Sequence, residues 1–193
     1  MSHMENSTAS LGIGSKNRLR NPQWVLKPQD LVVALKLHVS EPANLPYARL
    51  GSALCISQFE AHAAVQRLLA ARLVTRIANR TRPVIASLKT FLINGAVYAY
   101  PAVHGEVTIG VPTAQAVAPL KDLVVGVSEL PPVWPDAQGE VRGQALMPLY
   151  PTVPRAVQTD PALWELLALF DALRIGQARE RNLAGRLLEE RLL

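Results

Sequence analysis

A mainly α fold of the α+β class is what this sequence predicts, and three observations carry the prediction. Residues 45–74 read as two short helices joined by a tight turn. From about residue 96 the chain changes to short β-like runs and a Pro- and Gly-rich stretch, a small β or irregular segment. Beyond Asp160 the helix signals return, as a C-terminal helical pair. The expected organisation is a flexible arm (1–23), a helical N-terminal domain (24–95) and a C-terminal domain (96–193).

Residues 1–23 are polar, rich in Ser and Asn, and without periodicity, the pattern of a flexible arm. The opening Met-Ser-His-Met has the form of a cloning remnant, with Met4 then the native start. Lys16, Arg18 and Arg20 are placed to follow a phosphate backbone or a minor groove, though a basic tail more often does nothing specific. Pro28 suits a first helical turn, and Leu31, Val32, Leu35 and Val39 make one apolar face of a helix ending near Ser40. His38 is then a helix-end residue. Residues 41–46 are a loop by their prolines.

Residues 46–54 form the first helix of the pair, Cys55 and Ile56 the turn, and residues 57–71 the second. Ser57 stands at the N-cap, its hydroxyl free to accept from a backbone N–H two or three residues on. Ala61, Val65 and Leu68 recur at spacings of four and three, so one stripe faces inward with Ile56 and Leu73 nearby. Gln58, Glu60, His62, Gln66 and Arg67 occupy the other face, offered to a ligand. Cys55 is the one cysteine; it cannot form an internal disulfide, and its expected place is buried in the turn.

Over residues 54–74 this pattern resembles the winged helix-turn-helix regulators of bacteria, the group that includes MarR-like and ArsR-like repressors. The shared features are the small apolar turn, the Ser57 cap, three buried positions in register, and Leu73-Val74 after a short break. One departure is Arg72, where that family usually has Gly. The resemblance implies a protein that reads duplex DNA with the helix beginning at Ser57. Gln58, Phe59, His62 and Gln66 then point at base edges, where Gln suits adenine and an aromatic meets a thymine methyl. Tyr47, Arg49 and Arg67 position the DNA backbone. Residues 75–83 hold Arg76, Arg80 and Arg82 around an Asn turn; a wing, if one forms, is here and short, and its arginines meet phosphates beside the groove.

Residues 83–94 read as a helix with Val84, Leu88, Phe91 and Leu92 inward, stopped by Gly95, the expected end of the first domain. Residues 96–100 and 107–111 look like short strands of a hairpin. The stretch 112–154, with one apolar run at 123–127, is expected to pack as extended chain rather than as regular elements. From Gly95 to Pro151 it loosely resembles an extension of MarR-like proteins of unassigned role, which implies no residue-level function. Asp160-Pro161 is a strong helix start, and Leu163, Leu166, Leu167, Phe170 and Leu173 form a broad apolar stripe closed by Gly176. A second helix at 177–192 has Leu183, Leu187 and Leu188 on one side, so the two make a helical hairpin or one bent helix. Terminal helices build the dimer in the resembled regulators, and this pair is apolar enough to do the same.

Residues 1–95 hold 12 Lys plus Arg against 4 acids, net +8, while residues 96–193 hold 8 against 11, net −3. A basic half that coincides with the helix pair points to a polyanion, because phosphate neutralisation dominates nucleic-acid affinity; an unevenly charged, solvated surface is the alternative. No run of about 18 apolar residues and no hydrophobic signal core occur, so a cytoplasmic protein without membrane contact is expected. There is no glycine-rich phosphate loop, no Gly-x-Ser-x-Gly elbow and no His pair at i and i+4, so neither catalysis, cofactor nor metal is expected. His104 with Glu106, and Asp171 with Arg174, read as surface pairs. The sequence thus predicts a sequence-specific duplex-DNA-binding regulator, expected to be a homodimeric repressor. The alternative is an interaction protein, such as an antitoxin-like partner that neutralises an enzyme encoded nearby, using its C-terminal domain. Both can hold at once.

Overall fold

A computed structural model describes residues 24–40, 45–78, 80–124 and 129–193. The expected arm with Lys16, Arg18 and Arg20, loop residues 41–44, Asn79 and most of the apolar run at 123–127 lie outside them. The described chain is mixed α and β, mainly helical with two small sheets.

Helix α1 (Pro28–Val39) begins on its proline, and Asp30 closes a capping box by accepting from the Lys27 backbone N–H at 2.9 Å. Helix α2 (Tyr47–Leu54) meets the start of α3 (Gln58–Ala70) so closely that a Cβ on Gly51 would lie 2.8 Å from the Ile56 carbonyl oxygen. Only glycine admits that approach. Cys55 makes the turn in the left-handed region, at φ 53°, and is exposed rather than buried as expected. The residue that reverses the chain between two packed helices stands outside both. Inside, Ala61, Ala64, Val65 and Leu68 of α3 are fully buried. Arg72, where glycine is the rule in the resembled regulators, takes φ 58°, a conformation that costs an ordinary residue about 1–2 kcal/mol.

Strands β1 (Val74–Ile77) and β2 (Arg80–Pro83) then form an antiparallel hairpin in which Thr75 faces Arg82 and Ile77 faces Arg80. Helix α4 (Ile85–Phe91) follows, with Leu88 buried. It does not stop at Gly95: a π turn (Leu92–Ala96) carries it into the short α5 (Val97–Ala99). Leu88, Leu92 and Ala96 are all fully buried at a spacing of four, and their burial outweighs glycine's cost of about 1 kcal/mol in a helix. The strand expected at 96–100 is therefore helical, the β propensity of Val97 and Tyr98 being overridden by packing.

Strand β3 (His104–Pro112) is longer than the expected 107–111, and its partners lie far along the chain. After a 3-10 turn (Ala114–Ala116) and the short α6 (Leu120–Leu123) come β4 (Pro132–Pro135) and β5 (Val141–Leu146), regular elements in a stretch expected to have none. β3 pairs antiparallel with both, β4 and β5 pair parallel, and the three strands close on one another. Gly110 makes the closure possible, since a Cβ there would run into the Trp134 backbone.

Past α7 (Val153–Ala156), Asp160 caps α8 (Pro161–Ile175) by accepting from Leu163 N at 3.1 Å, and α9 (Ala178–Arg191) packs back on α8 as a hairpin. Leu163, Leu166, Leu167, Phe170 and Leu173 are all buried within this one chain. The stripe expected to pair two copies is thus already covered. α1 lies against it on one side and against α3 on the other, which is why Leu31, Val32, Val33, Ala34, Leu35 and Leu37 are all buried and not only one face. A Lys36–Asp160 ion pair at 2.7 Å and a contact of His38 Nε2 with the Arg191 carbonyl at 2.9 Å fasten α1 to the C-terminal helices. One apolar cluster runs from Leu31 to Leu192.

Asp171 and Arg174 are a further correction, being buried and not a surface pair. The Asp171 carboxylate accepts from Thr113 Oγ1 (2.8 Å), Trp134 Nε1 (2.7 Å) and Arg174 Nη2 (2.5 Å), joining β4 and the turn after β3 to α8. Burial pushes its carboxyl up, and Arg174 with the hydrogen bonds pulls it back. His104 and Glu106 are exposed on β3, as expected.

Candidate nucleic-acid interface

The outward side of α3 is built from its cap. Ser57 Oγ accepts from Glu60 N at 3.1 Å, and Glu60 Oε2 accepts from Ser57 N at 3.2 Å, so two otherwise unpaired helix-end donors are satisfied reciprocally. Glu60 Oε1 also accepts from the Tyr150 hydroxyl at 3.1 Å, and Thr152 Oγ1 donates to the Leu54 carbonyl at 2.7 Å. The segment after β5 thereby grips the turn between α2 and α3. Ser57 is occupied as a cap, which places it at the edge of the surface rather than reaching from it.

Beyond the cap, Gln58, Phe59 and His62 are exposed, Phe59 to 77%. His62 lies edge-on to Tyr47, with ring centroids 4.9 Å apart, and approaches Gln66 at 3.3 Å between its Nε2 and the amide nitrogen. Arg76 reaches across from β1 and donates to the Tyr47 hydroxyl at 2.8 Å. Tyr47, His62, Gln66 and Arg76 thus form one continuous chain of contacts over α2, α3 and the hairpin. Arg49 is exposed on α2.

Arg67 does not belong to this surface, contrary to the sequence-based expectation. Its guanidinium is buried and grips Asp30 of α1 by two hydrogen bonds, Nε to Oδ2 at 2.7 Å and Nη2 to Oδ1 at 2.6 Å. The fork-to-fork bond raises the arginine's already high pKa, opposed by burial. Position 67 lies three after Ala64, and Ala64 is fully buried, so the inward stripe is wider than the three positions the spacing suggested. Counting Ala64 into the stripe is the sequence signal that would have moved Arg67 inside.

The hairpin divides its arginines. Cross-strand partners share a face, so Arg80 and Arg82 lie with Thr75 and Ile77 on one side, and Arg76 lies with Thr81 on the other. Arg80 and Arg82 are exposed, and Ile77, opposite Arg80 at the end of the hairpin, is 63% exposed, an apolar tip that sequence reasoning missed. Since Arg67 is the only Lys or Arg of α3, the positive charge here comes from Arg49, Arg72, Arg76, Arg80 and Arg82 around it.

Among the described residues no group of three His, Cys, Asp or Glu side chains is placed to hold a metal ion, and no helix is long and apolar enough to cross a membrane. No family model, curated protein or solved structure matches this chain.

Proposed function

We propose that this chain is a winged helix-turn-helix regulator of transcription that binds duplex DNA in the cytoplasm, with α3 in the major groove and the β1–β2 hairpin as a short wing. The observation that carries the reading is the placement of α3. It is capped at Ser57 and packed through Ala61, Ala64, Val65 and Leu68, and it exposes Gln58, Phe59 and His62 next to a hairpin that exposes Arg80 and Arg82. Gln58 and Gln66 suit adenine, and Phe59 suits a thymine methyl. Arg49, Arg76, Arg80 and Arg82 supply phosphate contacts, which fix position without reading sequence. A homodimer, if it forms on a two-fold operator, needs a surface other than the α8 stripe.

The test is fluorescence anisotropy against a selected operator and against random duplex at several salt concentrations. Replacing Gln58, His62 and Gln66 together by Ala is expected to weaken the operator by roughly 1–3 kcal/mol per lost base contact and to spare random DNA. Arg80→Ala is expected to weaken both alike and to lower the salt slope by about one. A triple variant that melts normally and binds its operator undiminished would refute α3 as the reader.

One observation favours a second reading, an interaction protein of the antitoxin kind. With Arg67 buried, the outward side of α3 has no cation and carries a largely exposed Phe59, which suits a protein surface as well as a base. Under that reading Phe59→Ala abolishes capture of the partner, while DNA affinity of the wild type is weak at every sequence.

A further inference from the structure

Strand β1 runs from a buried residue to an exposed one: Val74 is 2% exposed, and Ile77, about 10 Å further on at about 3.3 Å per residue, is 63% exposed. The β1–β2 hairpin therefore stands out from the core with an apolar side chain near its far end. Its base is fixed, since the Val84 N–H donates to the Leu73 carbonyl at 2.9 Å. Its tilt is fixed as well, because Arg76 on one face donates to the Tyr47 hydroxyl of α2 at 2.8 Å. Ala78 then turns the chain in the left-handed region, at φ 47°, and adds only a methyl group there.

The other face of the hairpin carries Thr75, Ile77, Arg80 and Arg82. Ile77, Ala78, Arg80 and Arg82 line one notch. Neither exposed arginine has an ion pair or a side-chain hydrogen bond among the described residues. A single exposed isoleucine is ordinary on a protein surface. One near the end of a projecting ribbon, beside two uncommitted guanidinium groups, has the chemistry that enters a minor groove: cations for the phosphate walls and an apolar wedge for the base stack. The dimensions point the same way. Two paired strands lie about 4.8 Å apart before their side chains are counted, against a minor groove about 6 Å wide, so the hairpin enters only a groove that opens. Unstacking one base step opens it.

We propose that Ile77 is an apolar wedge that enters a base step of the minor groove beside α3 and kinks the duplex towards the major groove that receives that helix. The inference rests on the DNA-binding reading above and deepens it. Arg80 and Arg82 hold the phosphate walls, and Ile77 selects the step. Pyrimidine–purine steps such as TA and CA unstack most easily, whereas A-tracts are stiff. The operator is then selected at a position where no side chain reads a base edge.

The test uses the full chain and an operator duplex selected from a random pool. 2-Aminopurine, whose fluorescence rises on unstacking, is placed in turn at each step flanking the α3 footprint, and a dye at each end reports bending by energy transfer. With the wild type, fluorescence is expected to rise at one pyrimidine–purine step and the duplex ends to draw together. Ile77→Ala is expected to abolish both signals and to weaken the operator roughly tenfold, with unchanged melting because the residue is exposed. Ile77→Leu, which keeps the wedge, is expected to retain both. Replacing the sensitive step by an A-tract is expected to weaken the wild type roughly tenfold and to leave Ile77→Ala unaffected. A wild type that binds its operator while every step stays stacked and the duplex straight overturns the wedge and leaves the DNA-binding reading standing. An Ile77→Ala variant that unstacks and bends the duplex as the wild type does overturns the assignment to Ile77. A wild type that recovers no operator from the pool overturns both readings.

Discussion

Arg67 shows how much one side chain's surroundings decide. On a helix offered to DNA an arginine at this position is a phosphate contact; here its guanidinium lies 2.6 Å from a carboxylate in α1 and joins two helices of the core. A buried ion pair adds little net stability over an apolar pair of the same shape, but removing one partner leaves the other charge stranded. Arg67→Ala is therefore expected to destabilise the protein by about 3–5 kcal/mol. Replacing Arg67 by Met and Asp30 by Leu together is expected to cost much less, because no buried charge is then left alone. Urea denaturation of the two single variants and the double variant measures the coupling. A loss of DNA affinity by Arg67→Met in a fully folded protein would contradict the structural role.

At the scale of elements, α3 depends on a partner that is remote in sequence. The Ser57 backbone N–H, and after it the Tyr150 hydroxyl, hold the Glu60 carboxyl below the ordinary glutamate value of 4.5. A carboxyl depressed in the folded state contributes stability that is complete above its unfolded value and is lost as pH falls through the folded one. The start of α3 is thus expected to loosen below the ordinary glutamate range, in acid and not near neutral pH. Tyr150→Phe is expected to move the Glu60 pKa up towards its ordinary value, which carboxyl carbon NMR titration reads directly. An unchanged titration would show that the Tyr150–Glu60 bond does not form in solution. The Ser57 cap was legible, because a Ser stands just before the apolar-periodic run; Glu60, expected on the outward face, instead closes the capping box. Tyr150 was not legible, since nothing local in a Pro-rich stretch marks the helix end it will reach.

For the whole molecule the decisive fact is that α1 is sandwiched between α3 and α8, so the α2–α3 pair and the terminal hairpin share one core. Phe170 is 0% exposed, enclosed by this one chain. Phe170→Ala is accordingly expected to cost about 3–5 kcal/mol and lower the thermal midpoint of the entire transition. A dimer stripe behaves differently: the variant would dissociate while melting like a folded monomer. Light scattering alongside calorimetry distinguishes the two, and a stable folded monomer of Phe170→Ala from a dimeric wild type would overturn the core assignment.

Local signals determined the elements whose causes are local. Pro28, the Ser57 cap, the spacing of Ala61, Val65 and Leu68, and Asp160-Pro161 each specify a helix start or an inward face within a few residues. What the tertiary structure decided was everything that a distant partner must supply. The helix runs through Gly95 because Leu88, Leu92 and Ala96 find one core; β4 and β5 form because β3 offers both its edges. Arg67 and Asp171 go inside because Asp30, Thr113, Trp134 and Arg174 are there to receive them. A buried charge or a short strand is stable only with its partner in place, and the stretch of sequence around it does not carry the partner's position.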